Sequence, residues 1–93
     1  MPRYLTLYNF TGAIKGGGPE RFMKFKAIVE EEGGRILHFG GLLGAHDVFT
    51  LTEYPSNQAA MKGSARIGNL ISARTQTFPV VDEPEFLNLL TQV

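Results

Sequence analysis

The sequence predicts an α+β fold: a four-stranded antiparallel sheet with two helices laid on one face, followed by a third helix. Three observations predict it. Short runs alternate polar and apolar residues with the period of two that marks a strand. Longer runs between them repeat apolar residues at helical spacing. Breaks rich in glycine, or carrying proline, separate the runs.

Residues Arg3 to Phe10 set Tyr4, Thr6 and Tyr8 against Leu5, Leu7 and Asn9, giving the first strand. Thr11 to Gly18 collects four glycines in eight residues and reads as a mobile loop. Pro19 suits a first helical turn. Phe22, Phe25, Ile28 and Val29 then recur on one face until Gly33-Gly34, so the first helix covers about 19–32. Arg35–Phe39 and Asp47–Glu53 form an antiparallel hairpin around a glycine-rich connection. The second helix, about 57–68, is built of small residues (Ala59, Ala60, Gly63, Ala65, Gly68) that let it lie close to a neighbour. Leu70–Phe78 is a fourth strand, and Asp82 opens a terminal helix whose Phe86, Leu89, Leu90 and Val93 share one face. The order β-α-β-β-α-β is that of the ferredoxin-like split β-α-β, with sheet order 4-1-3-2.

Alternation does not say which face the helices cover. Leu5, Leu7, Leu37, Phe39, Phe49 and Leu51 are expected beneath them, opposite the aromatic face of the first helix. The open face then carries Tyr4, Thr6, Tyr8, His38, Val48, Thr50 and Thr52. A wall of that composition is expected to be closed by a second copy of the chain, giving at least a homodimer.

Composition bounds the function classes. At 93 residues and 10.2 kDa the chain is expected to form one domain, residues 1–93. Nine Lys and Arg balance nine Asp and Glu, six of each falling in residues 1–53 and three of each in 54–93. Without a basic half, neither nucleic acid nor an anionic membrane is an expected partner. With no cysteine, disulfides and thiolate metal sites are excluded and a reducing compartment is favoured. The longest apolar stretch, Phe39 to Ala45, is far below the roughly 18 residues of a membrane span. The opening MPRYLTLYNF alternates instead of forming a signal core, and the expectation is a cytoplasmic protein.

Two stretches carry a resemblance. Gly44-Ala45-His46-Asp47 leading into VFTLTEYP, and Arg74-Thr75-Gln76-Thr77 after Gly68-Asn69, together resemble the GYD domain family, from about Tyr4 to Phe86. The resemblance implies a dimeric α+β barrel of uncharacterised biochemical role. It also implies a tyrosine two residues after Gly44, where this chain has His46.

Several residues are candidates for chemistry. His38 is expected on the open face, where an imidazole can exchange protons near neutral pH. His46 and Asp47 are neighbours, but in an extended chain their side chains diverge, so a His–carboxylate dyad is not expected. Asp47 instead suits a turn, accepting backbone N–H groups from the glycine loop. Arg74 and Gln76 share the open side of the fourth strand, with Ala73, Thr75 and Thr77 under the small-residue helix. Arg74 can pair with a carboxylate or phosphate, either a ligand's or that of Glu53. The end with Tyr8, Asn9, Glu53 and Arg74 is expected roughly 15–18 Å from His46 and Asp47, at about 3.3 Å per strand residue. Lys15-Gly16-Gly17-Gly18 before Pro19 matches no phosphate-cradle motif and reads as a lid or a plain loop. No cofactor and no metal site are expected. The favoured function is binding of a small polar or aromatic molecule between the open face and adjoining loops, contacted by Tyr8, Asn9, Arg74, Gln76 and Asp47. The alternative is a cofactor-independent enzyme in which His38 or His46 transfers a proton.

Overall fold

The computed structural model describes residues 1–12 and 18–93, so the lid and phosphate-cradle readings of Lys15–Gly17 lie outside the described residues. The elements are β1 (Arg3–Phe10), α1 (Gly18–Glu31), β2 (Arg35–Gly41), β3 (Val48–Glu53), α2 (Asn57–Ile71), β4 (Ala73–Val80) and α3 (Glu83–Leu90). They build one four-stranded sheet in the order β2-β3-β1-β4, antiparallel throughout, the ferredoxin-like arrangement expected. No helix among the described residues is long and apolar enough to cross a membrane.

Local chemistry sets the element ends. Gly33 takes a left-handed φ of +82° just past α1, and the N–H of Gly34 returns to the Val29 carbonyl at 2.9 Å. Ser56 caps α2 by accepting from the Ala59 N–H at 3.1 Å. α2 continues three residues beyond the expected boundary, so β4 starts at Ala73 and not Leu70. Gly68 is no stop signal: a Cβ there would sit 2.9 Å from the Ala73 carbonyl oxygen, and the glycine is a point of close approach. The helix ends at Ser72, which adopts the left-handed conformation (φ 54°, ψ 56°).

The faces of β1 and β3 are the reverse of those expected. Tyr4, Thr6, Tyr8, Thr50 and Thr52 lie under α1 and α2, none more than 2% exposed. Leu5, Leu7, Phe49 and Leu51 are the half-exposed residues of the open face. The tyrosine wall is therefore roofed by the chain's own helices. The physical reason is fit: small residues on α2 leave room for rings, and every hydroxyl finds a partner. Tyr4 Oη donates to Asn57 Oδ1 (2.7 Å), Tyr8 Oη meets Thr50 Oγ1 (3.3 Å), and Thr6, Thr77 and Ser64 form a hydroxyl chain at 3.0 and 2.8 Å. Among the described residues no buried side-chain N or O lacks a hydrogen-bond partner.

On β4 the expected face is the observed one, with Ala73, Thr75 and Thr77 half-buried and Arg74 and Gln76 exposed. The antiparallel register pairs Leu7 with Gln76 and Leu5 with Phe78, which puts β1's leucines on the open side with them. In β2 the register shifts between Ile36 and His38, and this bulge pairs His38 with Leu51. His38 thus stays on the open face, while Phe39 turns toward the Phe22 and Phe25 rings at 4.9 and 5.6 Å. The outer strands are β2, which carries the bulge, and β4, which carries Pro79.

Candidate functional site

The chemistry concentrates where β1 ends, β3 begins and β4 begins. Antiparallel pairing brings these together: Tyr8 lies opposite Val48, and Asn9 opposite Arg74. The residues before Val48 are then carried to Asn9. His46 Nδ1 lies 2.7 Å from Asn9 Oδ1, and Asp47 Oδ2 accepts the Phe10 N–H at 2.9 Å. The expected separation of His46 and Asp47 from Asn9 and Arg74 is thus corrected. It placed the start of β3 beside the start of β1, where an antiparallel partner puts its end.

The polarity of this cluster is determined. Asn9 donates its Nδ2–H to the Ala45 carbonyl, which turns Oδ1 toward the imidazole. A carbonyl oxygen only accepts, so His46 Nδ1 carries the proton, and in the neutral ring Nε2 keeps its lone pair. His46, Asn9, Arg74, Thr75 and Gln76 line a cleft of about 400 Å³. Arg74 makes no ion pair among the described residues and its side chain is exposed. A guanidinium without a protein carboxylate among the described residues, an imidazole nitrogen able to accept and an amide thus share one cleft. Thr75, which had no sequence signal as a site residue, joins the lining through its neighbours on β4.

The other candidates are placed elsewhere. Tyr8 belongs to the covered side; burial pushes its hydroxyl up to about 12, against hydrogen bonds from Thr50 and Thr6 that pull it down. Glu53 is at the far end of the sheet from Arg74. Its Oε1 meets Arg35 Nε at 2.6 Å and its Oε2 meets Arg3 Nε at 3.4 Å, and Arg3 also reaches Asp82 at 3.2 Å. The hydrogen bond from Arg35 holds the Glu53 carboxyl below its ordinary value, against the desolvation that raises it. Asp47 does accept a backbone N–H, but from Phe10 and not from the glycine loop, and so fixes the hairpin to β1. His38 is exposed and lines a different cleft with Arg35, Lys26 and Glu30 along β2. Among the described residues no three His, Asp or Glu side chains gather as metal ligands. A further apolar cavity of about 160 Å³ lies between α1 and the sheet, walled by Phe10, Phe22, Phe25 and Phe39 and flanked by Gly18.

Comparison with known proteins gives the relationships. The family model described as GYD domain matches residues 4–90. No curated protein matches the chain. Among solved structures, the leucine response regulatory protein LrpA of Mycobacterium tuberculosis superposes with a TM-score of 0.63 at 14% identity, covering 88% of this chain and 51% of its own. A feast or famine regulatory protein from M. tuberculosis, complexed with L-methionine, gives a TM-score of 0.67 at 14% identity, covering 89% and 52%. A structure described as a transcriptional regulator gives 0.68 at 14% identity, with coverage of 89% and 52%. The chain spans about half the length of these structures and shares their fold.

Proposed function

The chain belongs to the GYD domain family, and from that premise we propose that it is a homo-oligomeric domain, one unit over residues 1–93, that binds a small polar molecule carrying a carboxylate. The observation that carries the reading is the cleft of Asn9, His46, Arg74 and Gln76. Arg74 supplies the fork for the carboxylate, and His46 Nε2, oriented through Asn9, accepts a proton donor such as an amino group. The methionine held by the feast or famine regulator has both groups, which supports the ligand class. Balanced charge supports a small molecule over nucleic acid as the partner, and a chain without cysteine suits the cytoplasm. Oligomerisation is supported by the open face, where Leu5, Leu7, Phe49, Leu51 and Phe78 form an apolar area bare in one copy.

The test is calorimetric titration with L-methionine and a panel of small carboxylates. Arg74→Ala is expected to weaken binding by about ten- to a hundredfold, the equivalent of roughly 1.5–3 kcal/mol for a hydrogen bond to a charged group. His46→Gln weakens it less, and Tyr8→Phe leaves it unchanged. Wild-type affinity in both Arg74→Ala and His46→Gln rejects the cleft as the site. A second reading, proton transfer by His46 on a substrate anchored at Arg74, is favoured by the same Asn9 contact, which leaves Nε2 free to take a proton. Turnover lost in His46→Gln with binding kept distinguishes it.

A further inference from the structure

The terminal helix stands apart from the body that bears it. α3 packs against no other element of its own chain among the described residues, and none of its side chains is buried. Yet it is apolar: Phe86, Leu87, Leu89 and Leu90 are 50, 52, 45 and 49% exposed. Among the described residues its root alone is tied to the body, by the Arg3–Asp82 ion pair at 3.2 Å. Phe78, paired with Leu5 on the open face, and Val81, between β4 and that root, are 45 and 47% exposed.

Area identifies what covers it. Four strands at about 4.8 Å spacing, paired over six to eight residues at about 3.3 Å, give the open face a footprint of roughly 400–500 Å². A stable interface removes about 600–1,000 Å² from each partner, so the sheet face alone falls short. An eight-residue helix is about 12 Å long and about 10 Å wide. In a two-fold pair each copy gives one such helix and receives one, which raises the covered footprint to roughly 650–750 Å² per copy, inside the range.

We propose that α3 is an exchanged arm, each copy's helix lying against the body of the partner in a symmetric dimer of this chain. The inference rests on the reading that the open sheet faces pair. The test measures the dimer dissociation constant by sedimentation for the full chain, for residues 1–81, for the double variant Phe86→Ser/Leu90→Ser, and for Leu7→Arg on the sheet face. Loss of the arm is expected to raise the constant at least about tenfold in both the shortened chain and the double variant, with circular dichroism showing the sheet intact; Leu7→Arg gives a monomer. Because the chain has no cysteine, a spin label on Leu89→Cys reports directly: in mixed dimers with isotope-labelled wild type, amide signals of the unmodified partner broaden. An unchanged constant in both arm variants, or no broadening across copies, overturns the arm while leaving face pairing in place. A full chain that is monomeric at all concentrations, or a Leu7→Arg variant that still dimerises, overturns the face pairing and the arm with it.

Discussion

Single residues show most clearly what decides this fold. Tyr8 looks like a surface residue by polarity, yet its ring is packed beside Phe25, with centroids 5.8 Å apart, and its hydroxyl is answered by Thr50. Tyr8→Phe is expected to cost about 1 kcal/mol in urea unfolding, since Thr50 is left without its partner. The sign of the pH effect follows from burial. A tyrosine whose hydroxyl rises from 10.0 to about 12 stabilises the fold in full below pH 10 and loses that contribution as pH climbs to about 12. Tyr54 shifts in the same direction, for burial first. The alkaline fall of stability in that window is expected to be shallower in Tyr8→Phe. Gly63 is the complementary case: a Cβ there would lie 2.9 Å from Tyr54 Cζ and collide with its hydroxyl, and Tyr54 is only 1% exposed. Gly63→Ala is expected to destabilise by about 1–3 kcal/mol as an overpacking change, and adding Tyr54→Phe to recover part of it.

At the scale of elements, the strands and helices were legible because glycine, proline and periodicity act locally. β1 was legible to the residue, and α1 to within one. The end of α2 was not, because Gly68 serves a tertiary contact that imitates a terminator. The face of β1 was misjudged on hydroxyl content, since pairing such as Thr6 with Thr77 joins residues far apart in sequence. The face of β4 was legible from the small residues of α2, which need short, branched neighbours. One side-chain clasp holds three elements: Glu53 of β3 takes Arg3 of β1 and Arg35 of β2. A carboxyl held below its ordinary value of 4.5 stabilises the fold fully above that pH and loses the contribution as pH falls beneath it. Glu53→Gln is expected to lower the melting temperature at pH 7 and to flatten its decline on acidification.

For the whole molecule, the candidate site was legible as residue types but not as a constellation. Asn9, Arg74, Gln76 and His46 stand out by residue type, yet their meeting depends on the direction in which β3 runs past β1. The bulge that keeps His38 on the open face leaves no trace in composition, and the sheet order places His38 on the opposite edge strand from the β4 residues of the His46 cleft. The outer strands impose a further limit on how copies of the chain can meet. Pro79 has no N–H to offer a strand laid beside β4, and the bulge at Leu37 disrupts the ladder a neighbour would need along β2. Growth of the sheet sideways, chain after chain, is thereby discouraged at both margins. What remains for self-recognition is the broad leucine surface; under the proposed face pairing its stacking is complete after two copies, so the same proline and bulge that blunt fibre formation would leave a closed pair as the outcome.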